Sequence, residues 1–171
     1  MASELPLPDE SEASANWREQ LRVLATGYRN MLLRHPWASR LLAEFINIGS
    51  HSTAFSNATL QVIGRSGLKD VCTSGALASL FHFVYGFATI RATHEARCRA
   101  AGISLHDDFE QVVSAISSHP EFAEMKELSS RGDQVRTSRS AAAMLDRDFA
   151  FALDLQIAGI EAMRGGERGE G

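Results

Sequence analysis

Cysteine is scarce in this chain of 171 residues, which contains only Cys72 and Cys98. Two cysteines cannot build a disulfide framework, and both fall inside segments with helical periodicity. We therefore expect reduced thiols, as in a cytoplasmic protein. The N-terminus also lacks the basic and apolar regions of a secretory signal peptide, which agrees with a cytoplasmic location.

A hydrophobic run of membrane-spanning length is missing as well. The best candidate, residues 76–90, contains His82, and it is shorter than the roughly 20 residues that a spanning helix needs. Positive charge is not in excess, because 17 Lys and Arg residues face 21 Asp and Glu residues, giving a net charge of −4. We therefore expect neither membrane insertion nor unaided binding to DNA or RNA, which requires a basic surface.

Motifs of catalysis and metal binding are also lacking. The sequence has no Gly-rich phosphate loop, no nucleophile elbow and no HExxH motif. His94 and Cys98 lie one helical turn apart, but two ligands do not complete a metal site. His82, which lies among aromatic residues, fits a core or interface position better than a catalytic base. We expect no enzymatic activity, no catalytic residue, no cofactor and no bound metal.

What the chain does contain is helix-forming sequence from residue 16 to residue 164, without a convincing strand. Apolar periodicity and capping signals predict helices over residues 16–35, 36–46, 52–65, 69–101, 104–117, 119–130 and 141–164. Gly67 and Gly102 fall where left-handed helix caps are expected. Residues 1–15, acidic and containing Pro and Ser, and residues 165–171, rich in Gly, are predicted to be flexible tails. The fold class is all-α, with one domain between the tails.

The segment of residues 71–90 constrains the protein more than any other. Read as a helix, it carries apolar side chains on every side and lacks the polar stripe of a surface helix. Such a helix is either the centre of its own domain, or is covered by that domain on one side and by a second subunit on the other. In a chain of this length the second arrangement is the more economical, so we predict a homodimer.

Aromatic residues recur at core-facing positions in four successive predicted helices. They are Trp17, Tyr28, Trp37, Phe45, Phe55 and Phe81. These residues fit two structures equally well. One is an ordinary packed core, and the other is an apolar cavity lined by aromatic rings and a few polar groups, as in small-molecule pockets of helical proteins.

Three segments share their order and spacing with one protein family. They read Trp17-Arg18-Glu19 with Leu32-Leu33-Arg34-His35-Pro36-Trp37, Gly67-Leu68 running on to Phe83-Val84-Tyr85-Gly86, and Asp148-Phe149-Ala150-Phe151-Ala152-Leu153-Asp154-Leu155 with Ile157-Ala158-Gly159-Ile160-Glu161. Together they resemble the C-terminal domain of tetracycline-repressor (TetR) type transcriptional regulators. The resemblance implies a helical sensor domain whose helices 69–101 and 141–164 pair with their copies into an intersubunit four-helix bundle.

The resemblance also implies positions for two sites. By position, the effector pocket would be lined by Leu24, Tyr28, Leu42, Phe45, Thr59, Ser74, Leu77 and Phe81. The dimer contacts would be Phe83, Gly86, Phe87, Ile90, Phe149, Leu153, Gln156 and Ile160. Family members that bind tetracycline present polar groups at several lining positions where this chain has Leu24, Leu42 and Thr59. The resemblance therefore implies a small apolar or aromatic effector.

These expectations combine into one functional prediction. The chain is predicted to be the effector-sensing and dimerisation domain of a TetR-type transcriptional repressor. Because no helix-turn-helix precedes Trp17 in this sequence, contact with DNA is expected only through a module that the chain does not contain. Two other interpretations stay open: a stand-alone interaction protein that pairs with a full-length regulator, and an enzyme built on a helical bundle.

Overall fold

The computed structural model describes residues 2–7, 16–44, 49–122 and 140–164, which form six α-helices and no strand. The helices are α1 (Trp17–Arg34), α2 (Pro36–Glu44), α3 (Ser50–Gly64), α4 (Asp70–Ala101), α5 (Leu105–Ser118) and α6 (Ala141–Met163), with short 3-10 turns at Ala2–Glu4 and Pro120–Phe122. The predicted all-α class is confirmed for these ranges.

Parts of some predicted elements lie outside the described residues. They are residues 45 and 46 of the second predicted helix, residues 123–130 of the sixth, and residues 1, 8–15 and 165–171 of the two tails. Phe45, which is predicted to line the pocket, is among them.

The chain divides into two compact units, which we describe separately. Unit 1 comprises Met1–Ala92 and Ala152–Gly171, and unit 2 comprises Thr93–Phe151. Helices α1, α2 and α3 belong to unit 1, α5 belongs to unit 2, and the long helices α4 and α6 contribute to both. Of the predicted site residues that the structure describes, all except Phe149 fall in unit 1.

Helix α1 begins at a capping residue and ends before a proline, as predicted. The Asn16 side-chain oxygen accepts a hydrogen bond from the backbone N–H of Arg18 at 3.1 Å, which satisfies one of the free amides at the helix start. His35 leaves the helical region, with φ −125° and ψ 69°, because a residue before proline avoids the α conformation. Pro36 then opens α2, where its missing N–H has no consequence.

Two glycines form the left-handed turns that follow α3 and α4. Gly67 has φ 81° and Gly102 has φ 68°, conformations that glycine adopts without steric strain. In the first turn Ser66 is buried, and its hydroxyl accepts a hydrogen bond from the backbone N–H of Leu68 at 3.2 Å. Both predicted caps are therefore confirmed.

The core of unit 1 is built mainly from α1, α3, α4 and α6. Its buried apolar side chains include Leu21, Leu24, Met31, Leu32, Phe55, Val62, Ile63, Leu80, Val84, Ala88, Leu153, Ile157 and Ile160. On α4, the buried residues Leu80, Val84 and Ala88 recur every four positions, so that one side of this helix faces inward.

Residues 2–7 lie against the body of unit 1, although the sequence predicts a flexible tail there. Leu5 packs on a cluster formed by Met31, Leu32, Ala38 and Ala88. Neighbouring polar contacts hold the same segment, as described with the site below. Tertiary contacts of this kind leave no mark in local composition, which is why the acidic, proline-containing sequence predicts no structure.

Unit 2 is organised around α5 and the adjoining end of α4. Ser104 caps α5 reciprocally: its hydroxyl accepts from the Asp107 N–H at 3.0 Å, and the Asp107 carboxylate accepts from the Ser104 N–H at 3.3 Å. Hydrogen bonds from Ser104 to the carboxylate lower the pKa of Asp107. Arg97 of α4 donates to Asp108 of α5 at 2.6 Å.

In the described part of the chain, α4 is the one helix long and apolar enough to span a membrane by length and composition. This is weak evidence, because a core helix of a soluble protein passes the same test. Only 17% of its most apolar 18-residue window is buried. Most of this apolar helix is therefore left without a complete cover in the single chain.

Candidate functional site

Three aromatic rings from three helices meet in unit 1. The Tyr28 ring of α1 has its centroid 6.0 Å from that of Phe55 in α3 and 5.4 Å from that of Phe81 in α4. Phe55 and Phe81 are stacked, with centroids 5.9 Å apart and 9° between the ring planes. Aromatic pairs at such distances attract by about 0.5–1.5 kcal/mol beyond the area they bury. We refer to Tyr28, Phe55 and Phe81 as the aromatic triad.

Three hydroxyl groups belong to the triad helices at or near the rings, those of Tyr28, Thr59 and Tyr85. Burial raises the pKa of Tyr28 to about 12, with a smaller contribution from Tyr85, so the Tyr28 hydroxyl stays protonated at neutral pH. Thr59 is fully buried, and its hydroxyl donates to the Phe55 carbonyl at 2.8 Å. The Tyr85 hydroxyl donates to the Ser39 carbonyl at 2.9 Å.

The structure places several predicted lining residues at or next to the triad. Tyr28 and Phe81 are members of it, and Leu24, only 1% exposed, lies one turn before Tyr28 on α1. Thr59 lies one turn after Phe55 on α3. Phe55 itself is not among the predicted lining residues, although its place in the series of core-facing aromatic residues was a signal for it.

The other predicted lining residues are less enclosed. Leu77 is half-buried, one turn before Phe81 on α4, and Leu42 is half-buried against the same cluster that Leu5 contacts. Ser74 is exposed. Because the triad rings contact one another, a molecule bound between α1, α3 and α4 would have to move them apart.

A second feature is the exposed apolar side of α4, opposite its buried residues. On this side the exposed fractions of Val71 and Ile90 are 84% and 66%. Gly75, Ser79 and His82 between them are also exposed, and Gly86 is half-buried. The all-round apolar character predicted for this helix therefore corresponds to one covered side and one open side.

The open side of α4 continues onto α6 across a shallow groove of about 500 Å³. The groove is lined by Leu68, Cys72, Gly75, Ala76, Ser79, Leu155, Gln156, Gly159, Ile160 and Met163. The Ser79 hydroxyl donates to the Gln156 side-chain oxygen at 2.9 Å and links the two helices. Leu155 and Met163 project beside it, 56% and 62% exposed.

We call this surface the outer face. It comprises Val71, Gly75, Ser79, His82, Gly86 and Ile90 of α4 with Leu155, Gly159 and Met163 of α6. A Cβ added at Gly75, Gly86 or Gly159 would meet nothing within 4 Å. The small residues therefore form hollows that are open in the single chain.

Of the predicted dimer contacts, Gly86 and Ile90 belong to the outer face, and the others lie outside it. Phe83, Gly86, Phe87 and Gln156 are half-buried and Ile90 is exposed. Phe149, Leu153 and Ile160 are only 2%, 2% and 7% exposed, so they keep little surface for a partner. The sequence does not distinguish the two sides of α6, because both are apolar; Leu155 and Met163 point outward instead.

Ion pairs link two acidic residues of α6 to α1. Arg22 binds Asp154 at 2.9 Å, and Arg18 binds Glu161. Asp154 and Glu161 are the acidic residues that α6 contributes to unit 1. None of the residues that define the outer face carries a carboxylate, whereas Asp148, two turns before Leu155 on α6, falls on the same side of that helix.

A depression of about 740 Å³ follows the exposed side of α1. It is lined by Glu4, Pro6, Arg22, Val23, Thr26, Gly27, Asn30, Leu33 and Arg34. Glu4 forms ion pairs with His35 at 2.9 Å and with Arg34 at 3.2 Å, and a Cβ at Gly27 would overlap the ring of Pro6. The N-terminal segment is thus held at the C-terminal half of α1.

A metal site is not found in the described ranges, where no group of three or more His, Cys, Asp and Glu side chains could hold an ion. Cys98 is only 2% exposed, whereas His94 one turn earlier is exposed. The two side chains that the sequence singles out do not share an accessible surface.

The chain resembles one known domain family over most of its length. Residues 7–164 match the family described as the tetracyclin repressor-like C-terminal domain. No curated protein matches the sequence.

Solved structures of similar fold come from Streptomyces coelicolor. The TetR family protein ActR in complex with (S)-DNPA is 22% identical, with a TM-score of 0.66 over 96% of this chain and 71% of ActR. ActR in complex with actinorhodin is likewise 22% identical, with a TM-score of 0.68 over 96% and 72%. The TetR regulator SCO7222 is 20% identical, with a TM-score of 0.68 over 90% of this chain and 70% of that protein.

Proposed function

Because this chain belongs to the family of tetracycline-repressor-like C-terminal domains, we propose that it is the effector-sensing and dimerisation domain of a transcriptional repressor. The observation that carries the proposal is the state of α4, which is packed inside unit 1 on one side and apolar but open on the other. A helix of this kind fits a domain completed by a second copy.

The proposed effector is a small apolar or aromatic molecule that binds at the aromatic triad. It would part the rings and gain stacking contacts with them, while the protonated Tyr28 hydroxyl offers one hydrogen bond. The proposed lining is the set predicted from the sequence with Phe55 added. The ActR complexes with (S)-DNPA and actinorhodin support a small-molecule effector for a domain of this fold.

The proposed dimer forms through the outer face. In a twofold dimer the same surface meets itself, so it needs projections and hollows that fit each other. Val71, Ile90 and Leu155 project, whereas Gly75 and Gly159 leave hollows. Burying such an apolar surface stabilises association by about 25 cal/mol per Å² before the entropic cost of association is counted.

The proposed output is a change at the N-terminal ends of the dimer. An effector that binds one conformation more tightly shifts the population towards it. Contact with an operator would require a helix-turn-helix module in addition to this domain, and the regulator would act in the cytoplasm.

Effector binding can be tested by thermal shift, with actinorhodin as the probe beside a panel of apolar aromatic compounds. A binder raises Tm with the logarithm of its concentration over Kd. Phe81→Ala should weaken binding by at least about tenfold, a loss of roughly 1.4 kcal/mol. Phe109→Ala, which alters a half-buried ring in unit 2, is the matched control and should bind like the wild type. Equal binding by both variants would count against the triad as the site.

Dimerisation can be tested by light scattering at micromolar concentration. We expect a dimer for the wild type and a folded monomer for Leu155→Glu, since the new charge would be buried without a partner. Asn57→Glu, at an exposed position of α3, adds the same charge away from the outer face and should remain dimeric. A stable, well-folded wild-type monomer would contradict the proposal.

The outer face also supports a second function, that of an interaction protein. Any relative with a matching α4–α6 surface could take the place of the second copy. The chain would then alter the activity of a full-length regulator by pairing with it. Mixing the labelled chain with such a regulator and following subunit exchange by fluorescence energy transfer tests this function. If the chain pairs only with itself, this second function is excluded.

A further inference from the structure

His82 lies in the centre of the outer face of α4. At 100° per residue, Gly75, Gly86 and Ile90 fall on the same side of the helix as His82, within about 80° of it. The His82 side chain is exposed in the single chain. This side chain forms no hydrogen bond and no ion pair with any described residue.

The neighbours of His82 on α4 carry no charge that would compensate a protonated imidazole. Between Asp70 and Arg91, α4 contains no Asp, Glu, Lys or Arg, and its other titratable groups are Cys72 and Tyr85, which ordinarily ionise well above neutral pH. The Tyr85 hydroxyl points inward and donates to the Ser39 carbonyl.

On the facing helix α6, Asp148 falls on the same side as Leu155, and its carboxylate accepts hydrogen bonds from Arg147 at 3.3 and 3.0 Å. On the unit 1 part of α6, the carboxylates of Asp154 and Glu161 are held by Arg22 and Arg18 of α1. Histidine is the side chain whose charge ordinarily changes between pH 5 and 8. His82 is therefore the side chain of the outer face, as the structure describes it, that exists in a neutral and a protonated form.

We propose that His82 makes pairing through the outer face sensitive to pH, with the neutral imidazole allowing the two faces to close and the protonated imidazole separating them. This inference rests on the proposed dimer. A twofold axis would bring two copies of His82 into one apolar interface. Two unpaired charges would then be buried together, which costs far more free energy than burying two neutral rings.

The direction of the effect follows from proton linkage. Association is coupled to loss of protons wherever the free chain carries a protonated His82 and the dimer does not. With two such groups per dimer, Kd rises by up to about 100-fold per pH unit wherever the free chains carry both protons and the dimer carries neither. Above that range Kd is independent of pH. We expect Kd at pH 5.5 to exceed that at pH 8 by at least about tenfold.

The test is sedimentation equilibrium of the full chain between pH 5.5 and 8 at constant ionic strength. His82→Gln keeps a polar side chain but cannot gain a proton, so its Kd should be the same at both ends of the range. His82→Arg should be monomeric even at pH 8. His94→Gln alters another exposed histidine of α4 and should keep the full pH dependence of the wild type.

The possible failures are distinguishable. A wild type that is a folded monomer at pH 8 refutes the proposed dimer itself. If the wild-type dimer has the same Kd at pH 5.5 and pH 8, the proposed dimer is retained but the role of His82 is refuted. If the Kd of His82→Gln rises in acid as that of the wild type does, another group is responsible and the role of His82 is refuted. If circular dichroism of the wild type shows loss of helix at pH 5.5, unfolding explains the effect and the role of His82 is likewise refuted.

Discussion

The pyrrolidine ring of Pro6 lies over Gly27 of α1, so close that a Cβ at position 27 would overlap the ring. Glu4, two residues earlier, binds His35 at the end of the same helix. The N-terminal segment is therefore fixed at two places along α1. The residue that follows Gly27 is Tyr28, a member of the aromatic triad.

The contact between Pro6 and Gly27 predicts a context-dependent effect of Gly27→Ala. In an unobstructed helix interior, Gly→Ala stabilises by about 0.5–1 kcal/mol. Here the methyl group should dislodge Pro6, so that this gain is lost and the amides of residues 2–7 exchange faster. In a Pro6→Gly background the obstruction is gone, and Gly27→Ala should stabilise. Urea unfolding measures both effects, and equal values in the two backgrounds would show that the ring imposes no restraint.

The ion pair between Glu4 and His35 predicts that docking of the N-terminal segment weakens in acid. The hydrogen bond from His35 is the main cause that lowers the pKa of Glu4 below its usual 4.5. A carboxyl group with a lowered pKa in the docked state favours docking above its undocked pKa, and this contribution is lost as the pH falls through the docked value. The amide chemical shifts of Leu5 should therefore move towards undocked values as the pH falls below about 4.5.

Glu4→Gln provides the control for this titration. It should be less fully docked at pH 6 and should show no transition in the same range. If the variant titrates like the wild type, another group controls the segment.

The aromatic triad predicts a large cost for losing its buried member. Phe55 is 3% exposed, so Phe55→Ala should lower the free energy of unfolding by about 3–5 kcal/mol. Phe55→Leu, which preserves most of the volume, should cost less than about 1.5 kcal/mol. Val23→Ala, at a side chain that is 57% exposed, should change stability by about 0.5 kcal/mol or less. Denaturant unfolding orders the three variants, and a small effect of Phe55→Ala would mean that the rings are not tightly packed.

The ion pair between Arg22 and Asp154 predicts a small, salt-sensitive coupling between α1 and α6. The side chains are 36% and 55% exposed, and exposed pairs contribute about 0.2–1 kcal/mol. A double-mutant cycle with Arg22→Ala and Asp154→Ala should give a coupling in this range at low salt. The coupling should largely vanish at about 1 M salt, where the screening length is near 3 Å. Persistence at high salt would indicate a packing contribution instead.

The ends of the helices were predictable because their causes are local. Asn16 caps α1, Pro36 forces the break before α2, and Gly67 supplies the left-handed turn. Each of these acts through its own backbone or a near neighbour, so the sequence carries the information directly. The open apolar side of α4 was foreseeable for the same reason, since a helix without a polar stripe needs two covers.

The remaining features depend on tertiary contacts that a single sequence does not encode visibly. The sequence of residues 2–7 is typical of a solvated tail, but in the structure Leu5 and Pro6 contact α1 and its neighbours. On α6, Leu153 and Leu155 are the same residue type two positions apart, yet one is 2% and the other 56% exposed. Which of two apolar sides faces inward is decided by the helices packed against them.

Helix α1 carries Gly27 and Tyr28 as consecutive residues, and an α-helix displaces adjacent residues together. A movement of α1 that takes Tyr28 away from Phe81 would therefore also shift the backbone on which Pro6 rests. Such a movement would change the packing of the chain's first residues together with the spacing of the rings.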